Sequence, residues 1–308
     1  MRPDAGKEMP VQVLVSGSSG LIGTVLCRRL MSHGHGVTRL VRRRPGPDEA
    51  AWDPAGGTID AGALRDHQGV VHLAGVGIGD RRWTSRRRHA IVSSRVDATA
   101  LLARAVAAMG NPPQVMLSAS AIGIYGDRGD EVLTEGSASG DGFVAALCRQ
   151  WEAAADPVRD AGVRLAHLRS GIVLSTDGGA LARQLPLFRL GLGGRLGSGR
   201  QWVSWVTIED EVAAIAHVLE HADIDGPVNI TAPSPVTNAD FTRELGRAVR
   251  RPAAVPVPTI ALKAVFGGEL VDEVLLASQR VLPDALARSG FRFAHPDLPA
   301  ALAGTLAP

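Results

Sequence analysis

Val11-Gln12-Val13-Leu14-Val15 leads through Ser16 into Gly17-Ser18-Ser19-Gly20-Leu21-Ile22-Gly23, and a helical pattern takes over from there. The order strand, three-glycine turn, helix is what a dinucleotide pyrophosphate requires. The first glycine makes the tight turn and the second lets the backbone approach the phosphates. The third lets the helix pack on the strand, with the helix N-terminus facing the anion. In a chain with 36 glycines the bare pattern says little. Its place directly behind an apolar strand and ahead of a second one gives it weight. All seven residues from Gly17 to Gly23 are therefore expected to line a dinucleotide site.

Outward from that turn, apolar runs at 11–15, 37–41, 69–73, 114–118 and 164–174 alternate with helical patterns at about 21–33, 84–109 and 142–161. Such alternation predicts an α/β fold, a Rossmann-type doubly wound parallel sheet with helices on both faces. Strands such as Gly69-Val70-Val71-His72-Leu73 lack a polar face, as a sheet covered on both sides demands. Ligands of such sheets gather beyond the carboxyl ends of the strands, which directs attention past Val15, Val41, Leu73, Leu117 and Leu174. After about residue 175 the texture changes to glycine- and proline-rich loops over 176–203, strand-like segments near 204–231, and a mostly helical remainder broken by Pro252, Pro256, Pro258 and Pro283. The expected division is a nucleotide-binding domain over 11–175 with those late sheet segments, and a smaller, mostly helical substrate-side lobe from 176–203 and 232–303.

The 308 residues are 45% hydrophobic and 21% charged, ordinary for a soluble globular chain. A net charge of +2, with no dense basic block interleaved with aromatics, argues against a nucleic-acid partner. Arg81-Arg82 and Arg86-Arg87-Arg88 read as an exposed helix start. The first ten residues are polar, and no run of about 18 apolar residues exists, so a cytoplasmic chain without a membrane partner is expected. Cys27 and Cys148 read as packed thiols in a reducing compartment. His217 and His221 have a metal-compatible spacing, but no third ligand lies near them in sequence, so no metal is expected.

The second strand, Val37-Thr38-Arg39-Leu40-Val41, ends in Arg42-Arg43-Arg44-Pro45, where an NAD site usually carries an acidic residue for the ribose hydroxyls. No carboxylate follows until Asp48, beyond a Pro-Gly-Pro turn. A guanidinium clamps a 2′-phosphate that a carboxylate would repel, so Arg42 and Arg43 favour NADP(H) over NAD(H). Leu73, Ala74 and Gly75, behind His72, are small or apolar residues at a strand end past which a coenzyme can run. Arg95, on the following helix, is a candidate partner for the pyrophosphate charge.

Together the glycine loop, His72-Leu73-Ala74-Gly75, Ser118-Ala119-Ser120 with Tyr125-Gly126, and Arg169-Ser170-Gly171 resemble the extended short-chain dehydrogenase/reductases, which include nucleotide-sugar epimerases. The chain is more similar to an atypical branch, the epimerase-family (sugar-nucleotide-epimerase-like) proteins. That resemblance rests on Arg82-Trp83, Tyr125 through Gly129, Cys148 with Trp151-Glu152, Pro186 through Gly194, and Gly197 through Trp202. The tail from Leu282-Pro283 through Gly290-Phe291-Arg292-Phe293 resembles the branch's C-terminal domain. The likeness spans about residues 11–302 and implies an NADP-binding Rossmann protein.

The family's Tyr and Lys, four residues apart on a helix, are missing. The chain has one tyrosine, Tyr125, and its two lysines, Lys7 and Lys263, stand near the termini; Phe143 and Leu147 take the places of the pair. Ser120 aligns with the family's active-site Ser/Thr and is a candidate to polarise a carbonyl. Tyr125 is a second candidate, although a phenol with a pKa near ~10 is a poor base unless a cation such as Arg128 lowers it. Glu152 and Asp127 are conceivable acid/base substitutes. Trp83, Trp202 and Trp205 are candidates to line a pocket, and Arg200 to hold an anionic substrate. These residues fit an NADP(H)-dependent oxidoreductase moving hydride to or from a carbonyl or alcohol of a small molecule, anionic or sugar-like. The alternatives are a nucleotide-sugar epimerase and a non-catalytic NADP(H)-binding sensor or scaffold. Relatives by fold often dimerise through helices on the sheet's face, which leaves a homodimer open.

Overall fold

The computed structural model describes residues 10–307. In chain order its strands are β1 (Gln12–Ser16), β2 (Gly36–Val41), β3 (Glu49–Asp53), β4 (Thr58–Ile59), β5 (Gly69–His72), β6 (Val115–Ala121) and β7 (Val132–Leu133). Then come β8 (Arg164–Ser170), β9 (Ile172–Leu174), β10 (Trp202–Val203), β11 (Trp205–Thr207), β12 (Gly226–Ile230), β13 (Val236–Thr237) and β14 (Arg280–Val281). One eight-stranded sheet has the order β12-β8-β6-β5-β1-β2-β3-β4. Every pairing in it is parallel except β3 with β4. The chain leaves β1 in one direction towards β2 and returns to its other side at β5. The strand order therefore reverses at the carboxyl ends of β1 and β5, where the glycine loop lies.

Two-residue periodicity divides the strand side chains between two cores. Val13, Val15, Val71, Leu117 and Leu168 pack against Leu26 and Leu30 of the helix Leu21–Ser32 and Val212, Ile215 and Val218 of the helix Ile208–Glu220. Leu14, Val70, Met116 and Leu165 face the other way, onto Leu102 and Val106 of the helix Val96–Ala107 and onto Val158. Both faces are thus covered, and the near-continuous apolar strands follow from it.

Three expected elements are divided. The single helix at 84–109 is two, Ser85–Ser93 and Val96–Ala107, with Arg95 at the break. The helix at 142–161 ends at Ala153, and a short turn, Pro157–Asp160, follows. The strand at 164–174 parts at Gly171, where a Cβ would stand 2.7 Å from the Ser204 carbonyl oxygen. Beyond that glycine β9 leaves the sheet and pairs with β11. The strands β3 and β4 were not foreseen.

Past β9 a third core joins Leu181, Leu185 and Phe188 of the helix Gly179–Arg189 to Trp205, to Phe241 and Leu245 of the helix Asn238–Ala248, and to Leu298 and Leu302 of the helix Leu298–Thr305. This C-terminal region is tied to the nucleotide-binding part by the β14–β7 pair. Glu273 accepts from the Val144 N–H at 2.8 Å, capping the helix Phe143–Ala153 from the far end of the sequence.

Candidate active site and coenzyme groove

The coenzyme groove is built from backbone. Gly17 turns the chain at φ +68°. A Cβ there would lie 2.7 Å from the Leu73 carbonyl carbon and 2.8 Å from the Ala74 nitrogen, so only glycine lets the loop rest against the end of β5. The Gly20 N–H donates to the Gly17 carbonyl at 2.9 Å. A Cβ on Gly23 would strike that carbonyl and approach Ser18 Cα to 2.8 Å. Gly20 opens the helix Leu21–Ser32 with no side-chain acceptor, and no acid sits in its first turn, which leaves the N–H groups directed at an anion. Ser18 and the exposed Ser19 form the rim, with the Ser18 carbonyl accepting from Thr24 Oγ1 at 3.3 Å. A Cβ on Gly178 or Gly179 would stand 3.4 Å from the Leu21 side chain, and Ile22 packs on the first core. Across the groove Leu73 and Ala74 anchor in opposite cores, and a Cβ on Gly75 would sit 3.3 Å from the Arg95 guanidinium carbon.

Arg95 donates to the Ile91 carbonyl at 3.3 Å and lies 5.0 Å over the Trp151 ring. It has no carboxylate at ion-pair distance among the described residues, and burial pulls its pKa down. A largely buried, unpaired guanidinium is costly unless an anion approaches it. The glycine cradle and this cation together fit a dinucleotide pyrophosphate.

Arg42 is exposed and has no side-chain partner among the described residues. Arg43 is engaged differently: its Nη2 donates to Glu49 Oε1 at 2.7 Å and its Nη1 to the Arg44 carbonyl at 3.0 Å. Glu49 also lies 3.2 Å from Arg39. The Gly46 N–H and the Arg43 guanidinium hold its carboxyl below the usual range. The carboxylate absent from the end of β2 is thus supplied by β3, with two arginines against it. That neighbour was hidden behind the Pro-Gly-Pro turn.

The second half of the site is a closed hydrogen-bond network. Ser120 lies near the carboxyl end of β6, 5% exposed, and its Oγ donates to Glu152 Oε1 at 2.6 Å. Arg169, on β8, grips the same carboxylate with two prongs, Nε to Oε1 at 2.8 Å and Nη2 to Oε2 at 2.9 Å. Its Nη1 donates to the Tyr125 hydroxyl at 3.0 Å, and that hydroxyl donates to Asn229 Oδ1 at 2.7 Å. Asn229 Nδ2 completes the chain at the Leu282 carbonyl, 3.0 Å away. Burial pushes the Glu152 carboxyl up, but the hydrogen bonds and charge of Arg169, with Ser120, outweigh it and hold the acid below its ordinary value. Tyr125 is fully buried, and burial raises its pKa despite the adjacent Arg169. The register pairs Ser120 with Arg169 across β6 and β8, so both point to the same face, where the helix Phe143–Ala153 lies.

Several sequence expectations find other surroundings. Arg128, the cation expected to tune Tyr125, binds Glu131 at 2.6 and 2.8 Å; the guanidinium at the phenol belongs to Arg169. Phe143 starts its helix in an edge contact with Trp83 at 5.0 Å, beneath Arg88, and Leu147 is buried. The polar group that this helix sends to Ser120 is Glu152, while Cys148, one turn earlier, bonds the Ala121 backbone with its thiol pushed up to about 12 by burial. Asp127 accepts from the Ser278 N–H at 3.0 Å. Trp205 is core, Trp202 donates to Asp130 at 2.8 Å, and Arg200 is exposed. His217 stacks on His221 at 3.7 Å and bonds Ser289 at 2.8 Å. Asn229 escaped the sequence reading altogether, since an asparagine in a late strand carries no motif.

Residues 13–145 match the model of the NAD dependent epimerase/dehydratase family, and residues 257–304 match a domain of unknown function, DUF1731. An epimerase family protein of Mycobacterium bovis is 46% identical over 284 residues, 92% of this chain and 93% of that one. The human epimerase family protein SDR39U1 is 38% identical over 295 residues, 95% of this chain and 98% of its own. The crystal structure of human SDR39U1 (isoform 2) with NADPH superposes with a TM-score of 0.87 at 36% identity, covering 96% of this chain and 98% of the other. With the sheet, the glycine cradle and both matched segments in agreement, this chain belongs to the epimerase family, an atypical extended branch of the short-chain dehydrogenase/reductases that ends in a DUF1731 domain.

Proposed function

We propose that this protein is an NADP(H)-dependent oxidoreductase acting on a carbonyl or alcohol of a small molecule, with Ser120 bonding the substrate oxygen and Glu152 exchanging its proton. The observation that carries the reading is the 2.6 Å bond from Ser120 to Glu152 at the end of β6, in a chain without the family's Tyr–Lys pair. For the coenzyme, the support is the glycine cradle, the unpaired Arg95, the partnerless Arg42 and the NADPH held by the human relative. Gly17 to Gly23, Leu73 to Gly75 and Arg95 would hold its pyrophosphate side, and Arg42, with Arg43 beside it, the 2′-phosphate.

NADP(H), when bound, would supply the hydride for reduction as NADPH and take it up in oxidation as NADP+. Ser120 has one proton, and while that proton points at Glu152 the serine oxygen can only accept, an arrangement that recognises a substrate alcohol. On oxidation the alcohol proton passes to Ser120 Oγ as the serine proton passes to the Glu152 carboxylate. A carboxyl that Arg169 favours as the anion then releases it readily. In the reductive direction the transfer reverses: the serine proton passes to the carbonyl oxygen that takes up the hydride, as the proton of a protonated Glu152 passes to Ser120 Oγ. Tyr125 is a positioning residue: its hydroxyl holds Arg169, which holds Glu152.

The test is turnover of NADPH against a panel of aldehydes and ketones, with Ser120→Ala and Glu152→Gln beside the wild type. Removing a proton-transfer group is expected to lower kcat by about 10²–10⁴ while leaving NADPH affinity nearly unchanged. Turnover that survives both changes defeats the assignment. The saturated hydrogen bonds of the network favour a second reading, a non-catalytic NADP(H) sensor. In that case NADPH at 100 times its Kd adds about 2.7 kcal/mol of stability with no turnover on any substrate. Nucleotide-sugar epimerisation is less well supported, because it needs an efficient relay in both directions and the Tyr–Lys pair that provides one is gone.

A further inference from the structure

An open groove of ≈ 550 Å³ lies in the C-terminal region, sharing no residue with the coenzyme groove or the Ser120 network. Small-molecule sites commonly span about 300–1,000 Å³. Its floor is formed by small side chains. Gly246 is required there, because a Cβ would stand 2.8 Å from the Ala253 Cβ and 3.0 Å from the Arg251 carbonyl oxygen. Five arginines, Arg195, Arg243, Arg247, Arg250 and Arg251, are among the residues that line the groove, and no Asp or Glu is. Asp240 and Glu244, outside the lining, pair with Arg243 and Arg247. Arg195, Arg250 and Arg251 have no acidic partner among the described residues.

Two of these three are pre-oriented. Arg195 Nη1 donates to the Ser198 carbonyl at 3.0 Å and Arg251 Nε to the Arg189 carbonyl at 3.1 Å, and their other N–H groups have no protein acceptor among the described residues. Arg250 closes the helix Asn238–Ala248 at φ +56°. Its N–H donates to the Arg247 carbonyl at 3.0 Å and that of Arg251 to the Gly246 carbonyl at 2.9 Å, a turn whose left-handed residue is normally glycine. A strained arginine in that place is an outlier of the kind that clusters at ligand sites. The helix dipole explains cations at Arg247 and Arg250. It does not explain Arg195, which comes from another segment, nor the concavity beside it.

We propose that this groove is a second anion site, for a small molecule bearing a diphosphate group. Guanidinium forks match phosphate oxygens in pairs, and the small floor suits an uncharged portion of the ligand. To test it, the protein is held in saturating NADPH, so that the coenzyme groove is filled, and titrated calorimetrically at low ionic strength with inorganic pyrophosphate and with ADP. The expected result is one binding event per chain, weakened about tenfold or more in an R250Q/R251Q variant whose NADPH affinity is unchanged. Tighter binding of ADP assigns the site to a nucleotide, and equal binding to the diphosphate group alone; either supports the proposal. No heat from either ligand, or heat that R250Q/R251Q does not alter, overturns it. Binding of single-stranded DNA or polyglutamate without binding of pyrophosphate or ADP also overturns it and marks a macromolecular surface. None of these results bears on Ser120 and Glu152.

Discussion

The two halves of the site achieve order by opposite means. The coenzyme groove is backbone: glycines with no room for a Cβ, a helix start with no acid, and an arginine with no carboxylate at ion-pair distance among the described residues. The Ser120 end is side chain: a carboxylate, a guanidinium, a phenol and an amide, each bonded to the next over 2.6–3.0 Å. The first half is incomplete without an anionic ligand. The second is complete without a ligand, since each of its polar groups already has a partner. Anions are held by what the groove lacks, and protons by what the network already contains.

The comparison is broken most severely at Arg169. Arg169→Leu leaves the Glu152 carboxylate partly buried and unpaired, and about 3–5 kcal/mol of stability should disappear from urea unfolding. A loss below about 1 kcal/mol would mean that the pair is solvated like a surface ion pair. In the other half, Gly17→Ala drives a methyl against the end of β5, and NADPH affinity measured by fluorescence titration should fall about 100-fold. If affinity holds, the loop has another way to approach the phosphates.

Arg42→Gln sharpens the coenzyme side. The preference for NADPH over NADH should shrink about tenfold, as for loss of one charge-assisted contact to a 2′-phosphate. No change would assign the 2′-phosphate to Arg43 despite its bond to Glu49. A pH-dependent effect comes from Glu211, a fully buried acid whose Oε1 accepts from Ser170 at 2.5 Å and whose Oε2 has no partner among the described residues. Burial raises its pKa from 4.5 to about 8. The folded chain therefore keeps a proton that the unfolded chain releases. Its contribution to stability is whole below pH 4.5 and is lost as pH climbs to about 8. Relative to Glu211→Gln, the wild type should lose at most about 1.4 kcal/mol per pH unit across that window. Parallel melting curves at pH 5 and pH 8 would contradict this.

The groove was legible in the sequence because its logic is local. Strand, turn and helix lie within consecutive residues, and the glycine spacing reports contacts a few residues apart. The network was only half legible. Ser120 and Tyr125 follow a strand end and can be found by position. The groups they bond are 32 and 104 residues away. Glu152 stood among the conceivable acid/base substitutes, but nothing in the stretch around Asn229 marks it. Helix phase alone did not choose between the two named substitutes: Glu152, further along the helix than Phe143 and Leu147, reaches Ser120, whereas Asp127 bonds Ser278. The break at Arg95 was hidden because Ser94 and Arg95 are tolerable in a helix. Only the docking of Arg95 on Trp151 beside Gly75 gives a reason to interrupt it there.

The C-terminal cap has a consequence for how such chains can diverge. Residues 257–304 look like an appended unit, yet Glu273 within them closes the first turn of the helix that bears Glu152, and the Leu282 carbonyl ends the series begun at Ser120. The segment is thus built into the support of the Ser120 network and is not a detachable accessory. Grafting it from a distant homologue would demand matching replacements around residues 142–152. Recombination at that seam should yield soluble chimeras far less often than a crossover in an outer loop.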